Sequence, residues 1–213
     1  MKKEDIVKTI QQVAGRHSVY KIFGDWIQML ALEISIAVDW VTQEDRKAEW
    51  ETVASGYSDK EKEAMAKATA YLIEAFEEEP EDILGWCYMH LETNSKSLGQ
   101  FFTPYHLCEL MAKISLDSDT DHSSIAEPSC GAGGNIIAVL CELKRRGVNY
   151  QREVDIVAQD LDWRCVHMCY VQLSLLGAKA IVVQGDTLRD PYVPGKTERS
   201  HLYITPMKAG AII

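Results

Sequence analysis

The chain lacks any long run of apolar residues. Of its 213 residues, 46% are hydrophobic and 25% are charged, which is typical of a globular domain in water. No segment approaches the roughly 20 apolar residues that cross a bilayer. The opening Met-Lys-Lys-Glu-Asp also lacks the apolar core of a secretion signal. We therefore expect a cytoplasmic protein with no membrane partner.

Basic residues are scarce relative to acidic ones. The chain has 22 Lys and Arg against 32 Asp and Glu, a net charge of −10. A protein that grips DNA unaided needs clustered Lys and Arg for the phosphates, so this balance argues against strong DNA binding by the chain alone. The tightest basic cluster, Lys144-Arg145-Arg146, falls near the end of a predicted helix. Cations suit the dipole at that end, and we favour this interpretation over a DNA contact.

A disulfide pattern is missing as well. The six cysteines lie in apolar or helical surroundings, as expected for reduced thiols. Cys165 and Cys169 share a helix face, but His167 points elsewhere, and no second ligand pair with zinc spacing follows. We expect no metal site. The sequence also contains no internal repeat and no low-complexity tract.

The pattern of apolar residues divides the chain into residues 1–96 and residues 97–213. In the first part, apolar residues recur at helical spacing, most clearly over residues 20–41. Ser58 predicts a capped helix start. The acidic run at residues 77–82 is expected to be a solvated turn that ends one helix and starts the next.

The second part alternates short apolar strands with helices. This alternation predicts an α/β fold, a short and mostly parallel Rossmann-like sheet preceded by an N-terminal helical region. The strands are expected at residues 124–127, 154–159, 180–184 and 202–205, and the helices between them at residues 134–146 and 163–176.

The most informative segment is Glu127-Pro128-Ser129-Cys130-Gly131-Ala132-Gly133-Gly134. It ends one apolar run and opens another, which gives the order strand, glycine-rich turn, helix. The glycines allow a sharp turn and the close approach of a ligand, and the helix directs its N–H groups and positive dipole end toward that ligand. Such a turn binds a nucleotide-like cofactor in an open α/β sheet, although it also serves simply to join a strand to a helix.

Three further segments stand in a fixed order around this turn. Gly99-Gln100-Phe101-Phe102-Thr103-Pro104 precedes it, and Ala158-Gln159-Asp160 and Gly185-Asp186-Thr187-Leu188 follow. Over roughly residues 82–188, the set resembles the adenine-N6 DNA methyltransferases, most closely the modification subunit of type I restriction systems. The resemblance implies a Rossmann-like methyltransferase fold with S-adenosylmethionine as the cofactor.

In that family the cofactor lies across the carboxyl ends of the first three strands. By resemblance, a carboxylate after the second strand holds the ribose, a role for which Asp160 and Asp162 compete, and either could instead cap the next helix. Asp186 would meet the adenine or merely form a turn. The expected cofactor-binding residues are Phe101, Phe102, Thr103, Glu127, Pro128, Gly131, Gly133, Gly134, Asp160, Asp162, Asp186 and Thr187.

For Glu127 and for residues 101–104, more than one mode of action is possible. Glu127 would hold the methionine ammonium, directly or through water. The Phe101-Phe102-Thr103-Pro104 stretch would form a lid in which Thr103 reaches the cofactor carboxylate. The same stretch is also a plain helix start, with Thr103 as the cap and Pro104 in the first helical position.

The chain departs from the family where the target base should be held. These enzymes carry Asn/Asp-Pro-Pro-Tyr/Phe at the end of the fourth strand, where the first residue holds the amine and the aromatic stacks on the flipped base. No such tetrapeptide occurs here. Asp190-Pro191-Tyr192 follows Asp186 with no strand between, and Thr205 with Pro206 is a weak catalytic candidate at the end of the last strand.

The sequence therefore leaves three functions open. The first is an adenine-N6 DNA methyltransferase-like protein that binds S-adenosylmethionine, with catalysis impaired. The second is a non-enzymatic module that acts through protein partners, and the third is a methyltransferase for another substrate. DNA would be bound weakly or through a partner subunit, and a protein partner or a homo-oligomer is expected.

Overall fold

The computed structural model of the protein describes residues 2–92, 101–116 and 123–210. The expected boundary between residues 96 and 97, together with Gly99 and Gln100, lies outside these ranges. Within them, six helices precede the first strand: α1 (Lys2–Gln12), α2 (Val19–Val38), α3 (Gln43–Ser55), α4 (Asp59–Glu78), α5 (Ile83–Glu92) and α6 (Tyr105–Ser115). No helix in the described ranges is long and apolar enough to cross a bilayer.

The α/β part follows in nearly the predicted order. Every predicted strand is present to within one residue at each end, and α8 is an unpredicted short helix. The elements are β1 (Ser124–Glu127), α7 (Gly134–Arg145), α8 (Tyr150–Glu153), β2 (Asp155–Asp160), α9 (Trp163–Leu175), β3 (Lys179–Gln184), a 3-10 turn (Arg199–His201), β4 (Leu202–Ile204) and α10 (Pro206–Ala209).

The four strands form one sheet in the order β1-β2-β3-β4. The first three are parallel, with Glu127 opposite Ala158 and Asp160 opposite Gln184, so their carboxyl ends meet at one edge. β4 runs antiparallel to β3. A parallel return requires a crossover, usually a helix, whereas the connection from β3 to β4 contains only the 3-10 turn. The sheet is therefore mostly parallel, as predicted, but its last strand is reversed.

The helix caps show one success and one error of the sequence prediction. Ser58 caps α4 as predicted, because its Oγ accepts from the Glu61 N–H at 3.4 Å. The Ser58 N–H in turn donates to Glu61 Oε2 at 2.8 Å, which completes a capping box. The alternative in which Thr103 caps α6 is wrong. Pro104 has an extended ψ of 132° and itself occupies the cap position, and α6 begins only at Tyr105.

The N-terminal helices share one apolar core with the sheet. α2 packs against α9, and Phe23, Trp26, Ile27 and Leu32 on α2 are at most 2% exposed. The same core includes residues of α7, α9 and β3. Burying a large apolar side chain contributes roughly 1.5–3 kcal/mol. The helical region is therefore part of what stabilises the sheet.

The N-terminal helices also protect the edge strand β4. The buried Arg46 guanidinium lies 4.1 Å from the ring centroid of Tyr203 and donates to the carbonyl oxygen of Leu202. Nearby, Arg199 Nη2 donates to Asp39 Oδ1 at 3.0 Å. An uncovered edge strand invites pairing with other chains, and these contacts cover this one.

Candidate functional site

The glycine turn joins β1 to α7 through two left-handed glycines. Gly131 has a φ of 52° and Gly133 a φ of 99°, values that other residues rarely adopt. There is also little room for a side chain, because a Cβ would lie 3.1 Å from the Phe102 ring at Gly131 and 3.2 Å from Cys169 Sγ at Gly133. Both conformation and crowding require glycine here, and the backbone is left bare for a ligand to approach.

Asp160 connects this turn to the end of β2. Its Oδ2 accepts from the Gly131 N–H at 2.8 Å and its Oδ1 from the Asp162 N–H at 3.0 Å. A carboxylate has about four lone-pair sites, so Asp160 retains capacity for hydroxyl donors. The structure therefore places a half-buried carboxylate at the strand end, directly against the glycine turn.

Asp162, rather than Asp160, caps the helix that follows β2; the sequence alone had left both residues possible. It occupies the N-cap of α9, and its Oδ1 accepts from the Arg164 N–H at 2.8 Å. A side chain used in this way satisfies one of the exposed donors at the helix start. Asp160 is thus not needed as the cap.

The loop after β3 reaches back to the same place. Thr187 Oγ1 donates to the Pro128 carbonyl at 2.6 Å. This hydrogen bond joins the loop after β3 to the glycine turn after β1, across the end of β2. Asp186 Oδ1 accepts from the Leu188 N–H at 3.0 Å and the Arg189 N–H at 3.3 Å, a turn that leaves the carboxylate partly exposed. The segments after β1, β2 and β3 converge at one sheet edge.

Two exposed leucines flank this edge. Leu161, directly after Asp160, is 66% exposed, and Leu188, two residues after Asp186, is 95% exposed. Exposed leucines on neighbouring loops offer apolar contact to a flat ring. Trp163 is used differently, because its ring packs near His201 at a centroid distance of 5.7 Å and near Tyr203 at 6.3 Å.

The aromatic segment before α6 forms another wall. The Phe102 ring lies 5.0 Å from that of Tyr88 and rests against Gly131, whereas Phe101 is 84% exposed. Thr103 is exposed and its hydroxyl does not cap a helix. A cavity of about 100 Å³ lies between this segment and the glycine turn. The two phenylalanines therefore differ, one being a fixed wall and the other free to cover a ligand.

Glu127 stands at the end of β1, half-buried. Its Oε1 accepts from the Ser129 N–H at 3.3 Å and its Oε2 from Asn135 Nδ2 at 3.4 Å. Glu127 does not line the small cavity, whereas Asn135 does. The carboxylate thus holds Asn135 in place.

Cys130, inside the turn, is not set up as a nucleophile. A hydrogen bond with Cys169 and burial raise the pKa of the Cys130 thiol well above its usual range. Cys165 is also buried, and His167 Nε2 lies 3.2 Å from the Tyr203 hydroxyl. Burial lowers the pKa of His167 to about 3, which keeps its imidazole neutral. Cys165 and His167 are buried residues of α9, and Cys130 is a buried residue of the turn.

The sequence analysis missed a buried polar pair behind the turn. Gln172 is fully buried, and its Nε2 donates to the Ala132 carbonyl at 2.7 Å and to Asp82 Oδ1 at 2.9 Å. The expectation that residues 77–82 are a solvated turn is wrong for Asp82, which is 6% exposed. Gln172 could have been found as a polar residue within an otherwise apolar helix. In the acidic run, no local sequence pattern indicated that the Asp82 side chain is buried.

Thr205 and Pro206 lie at the wrong edge for the role considered for them. Because β4 is antiparallel to β3, the end of β4 lies at the amino-terminal edge of the parallel strands, opposite the glycine turn. Thr205 is fully buried, and its hydroxyl donates to the Ala178 carbonyl at 2.6 Å and accepts from the Ala180 N–H at 2.9 Å. The hydroxyl fastens β4 to β3, and this structural role argues against a catalytic one for Thr205 and Pro206.

This structural role of Thr205 can be tested by substitution. Thr205→Val removes the hydroxyl while nearly keeping the side-chain volume, so two buried backbone groups lose their side-chain partner. We expect a loss of about 1–3 kcal/mol in the free energy of unfolding, measured by urea titration. Thr205→Ser keeps the hydroxyl and should cost less. Equal stability of the Val variant and the wild type would contradict the assignment.

The other proline-containing segment lies at the edge with the glycine turn. Gln159 Nε2 donates to the Asp190 carbonyl at 3.0 Å, and the Tyr192 N–H donates to Gln159 Oε1 at 3.1 Å. Gln159 is buried near the end of β2. Asp190-Pro191-Tyr192 is thus fastened beside the site, although no strand separates it from Asp186.

The basic cluster at the end of α7 is committed to the fold. Arg146 Nε lies 2.8 Å from Glu142 Oε1, and Arg145 pairs with the other oxygen of the same carboxylate. Arg146 Nη1 also donates to the Leu116 carbonyl at 2.6 Å. All three residues of the cluster are exposed, but the pairings with Glu142 agree with a local role for the two arginines.

A larger cavity, about 690 Å³, lies away from the glycine turn, between α2, α3, the start of α9 and β4. Several of its polar groups already pair with each other, as in Lys21 with Asp25 at 2.6 Å and Gln28 with Glu49 at 2.6 Å. None of the residues at the ends of β1 and β3 lines it. The larger of the two cavities is therefore not the one beside the glycine turn at the carboxyl ends of the strands.

Comparisons with known proteins identify a family and a curated relative of this chain. A sequence model of the family described as N-6 DNA Methylase matches residues 80–206, more than half of the chain. The methylase subunit of the type I restriction enzyme MpnII of Mycoplasma pneumoniae is 24% identical over 139 residues, which is 62% of this chain and 25% of that protein. The chain therefore spans about a quarter of this curated relative.

A solved structure shows the same fold. The type I restriction-modification system methyltransferase subunit of Streptococcus thermophilus superposes with a TM-score of 0.50 at 13% identity, over 92% of this chain and 59% of that one. The likeness supports the Rossmann-like methyltransferase fold expected from the sequence. All four motifs that carried the sequence resemblance lie within the matched residues 80–206.

Proposed function

Because the chain belongs to the N-6 DNA Methylase family, we propose that it binds S-adenosylmethionine where the loops after β1, β2 and β3 converge. The observation that carries the proposal is the position of Asp160. This carboxylate stands at the end of β2 and is hydrogen-bonded at 2.8 Å to the N–H of Gly131 in the turn. A carboxylate at that point accepts ribose hydroxyls in nucleotide-binding sheets.

The neighbouring groups suit the other parts of the cofactor. Asp186 would accept the adenine amine at the end of β3, and the exposed Leu161 and Leu188 would cover the ring faces. Thr187 and Pro128 hold the two loops together by their 2.6 Å hydrogen bond. The carboxylate of Asp186 and the two leucines would thereby contact the polar edge and the flat faces of the adenine, respectively.

The amino-acid end of the cofactor would lie toward α6. The bare backbone at Gly131, Gly133 and Gly134 lets that end approach the start of α7, where N–H groups favour a carboxylate. Thr103 would add its hydroxyl to the same carboxylate, and the exposed Phe101 would close over the ligand. When bound, S-adenosylmethionine supplies an electrophilic methyl group on its sulfur.

The function that the site supports best is that of a cofactor-binding, type I methylase-like protein that does not methylate DNA alone. The sequence contains no Asn/Asp-Pro-Pro-Tyr/Phe segment, which holds the target adenine in this family. Thr205 and Pro206 lie at the opposite edge. A partner subunit would have to supply the base contacts. Recognition of DNA would then depend on the partner, in keeping with the net charge of −10.

The location of Thr205 also favours a second candidate function. In this alternative, the chain is a methyltransferase-like module that transfers no methyl group and acts through protein contacts. The two candidates differ in one observable. Methyl transfer in the presence of a partner subunit supports the first, and its absence with every partner that binds supports the second.

The proposal is tested by comparing two neighbouring carboxylates. Wild-type protein should bind S-adenosylhomocysteine in calorimetry with on the order of −7 to −8 kcal/mol. We expect Asp160→Ala to raise the dissociation constant at least about tenfold, because a charge-assisted hydrogen bond is worth about 1.5–3 kcal/mol. Asp162→Ala should mainly lower stability, by about 1 kcal/mol, as the loss of a helix cap does.

Two results would count against this assignment. A larger loss of affinity in Asp162→Ala than in Asp160→Ala would move the ribose to Asp162. No heat with wild-type protein at millimolar ligand would overturn cofactor binding itself.

A further inference from the structure

The small cavity behind the glycine turn contains an incompletely bonded carboxyl group. Asp82 lines this cavity and is 6% exposed. Its Oδ1 accepts two hydrogen bonds at 2.9 Å, from the Gly85 N–H and from Gln172 Nε2. Its Oδ2 accepts none from any residue in the described ranges. Burial raises the pKa of the Asp82 carboxyl.

A second acceptor without a partner lies beside it. Asn135 also lines the cavity, and its Oδ1 is buried without a hydrogen bond from the described part of the chain. The amide orientation is set by Nδ2, which donates to Glu127 Oε2 at 3.4 Å. An unsatisfied buried acceptor costs about 1–3 kcal/mol, so a native protein seldom keeps one without a use for it.

Asp82 and Asn135 line the same cavity of about 100 Å³. A Cβ built on Gly134 would lie 3.1 Å from Asp82 Oδ2, so this oxygen touches the backbone one residue before Asn135. No Lys, Arg or His is among the residues that line the cavity. Two residues with an unpaired acceptor oxygen, one of them a carboxyl group, therefore line a cavity whose lining includes no cationic side chain.

We infer that Asp82 and Asn135 form a binding site for a primary ammonium group, the α-ammonium of the cofactor's amino-acid end. This inference rests on the proposed function. An ammonium group has three donors and no acceptor, which matches two unpaired acceptors. The nearby start of α7 suits the carboxylate of the same amino-acid end. The ammonium group of the amino-acid end would thus bind to Asp82 and Asn135, and its carboxylate would bind to backbone N–H groups at the start of α7.

This arrangement replaces the role that the resemblance gave to Glu127. Both oxygens of Glu127 already accept hydrogen bonds, from the Ser129 N–H and from Asn135 Nδ2, and the side chain does not line the cavity. Glu127 then acts as a positioning residue that orients the Asn135 amide. Gln172 has a similar part, because it holds both Asp82 and the Ala132 carbonyl.

The test compares two ligands that differ only at the amino-acid end. S-Adenosylhomocysteine carries the ammonium, whereas 5′-methylthioadenosine keeps the adenosine and the sulfur but lacks the amino acid. We expect Asp82→Asn and Asn135→Leu each to raise the dissociation constant for S-adenosylhomocysteine at least about tenfold. The same variants should bind 5′-methylthioadenosine within about threefold of the wild type. Glu81→Gln is the matched control, since it removes a neighbouring carboxylate outside this cavity.

Melting temperature separates binding from folding. Asn135→Leu removes an unsatisfied buried oxygen, so the free protein should melt no lower than the wild type even though it binds the ligand more weakly. A parallel loss of affinity for both ligands would show a general distortion of the turn and would overturn the inference. Wild-type affinity for S-adenosylhomocysteine in both variants, or a tenfold loss confined to Glu127→Gln, would also overturn it. If wild-type protein binds neither ligand, the proposed function itself fails.

Discussion

Replacing Ile27 with aspartate is expected to leave no stably folded protein. Ile27 lies on α2 with 0% exposure in the core shared with the sheet. The change removes a large apolar contact, worth about 2–5 kcal/mol, and buries a carboxylate with no partner, which costs several kcal/mol more. A domain is typically stable by only about 5–15 kcal/mol. Circular dichroism during thermal melting should show no cooperative transition.

Ile73 provides a matched control on a neighbouring helix. It lies on α4, is 42% exposed, and offers the same chemical change in contact with water. Ile73→Asp should melt cooperatively within a few degrees of the wild type. A cooperative transition near the wild-type temperature for Ile27→Asp would mean that α2 is not part of the stabilising core.

The purified chain is expected to show no DNA methylation activity on its own. The purified chain, in excess over unmethylated genomic DNA at low salt, should transfer no tritiated methyl groups above background. The cofactor edge lacks the Asn/Asp-Pro-Pro-aromatic segment, and Arg145 and Arg146 are engaged with Glu142 rather than free for phosphates. The net charge of −10 further disfavours binding to a polyanion.

Asp186→Ala decides how any incorporation is interpreted. Incorporation above background that disappears in this variant would restore the chain as an enzyme and contradict the prediction. Incorporation that is unchanged by the substitution would come from a contaminating methylase. The distinction holds because Asp186 lies in the β3 loop that we assign to the cofactor, and its side chain accepts hydrogen bonds from the Leu188 and Arg189 N–H groups of its own turn.

Features set by neighbouring residues were predictable from the sequence. The strands β1 to β3, the glycine turn and the capping box at Ser58 all depend on short-range patterns of apolar, glycine and cap residues. The family membership followed from the order of motifs within the matched region. The assignment of individual residues to cofactor groups stays a prediction.

Features set by distant contacts were not predictable in the same way. The reversal of β4 depends on a connection without a crossover helix, and it moved Thr205 to the opposite edge. The burial of Asp82 depends on Gln172, a residue 90 positions away. In both cases a local pattern allowed several outcomes, and tertiary packing selected one of them.

The most direct test of the account is a crystal structure of the protein with S-adenosylhomocysteine. We expect the ribose hydroxyls within hydrogen-bonding distance of Asp160, the adenine between Leu161 and Leu188, and the amino-acid end in the cavity beside the glycine turn. A ligand bound instead in the cavity of about 690 Å³ near α2 and α3, or strand ends closed by side chains with no ligand, would contradict the central claim.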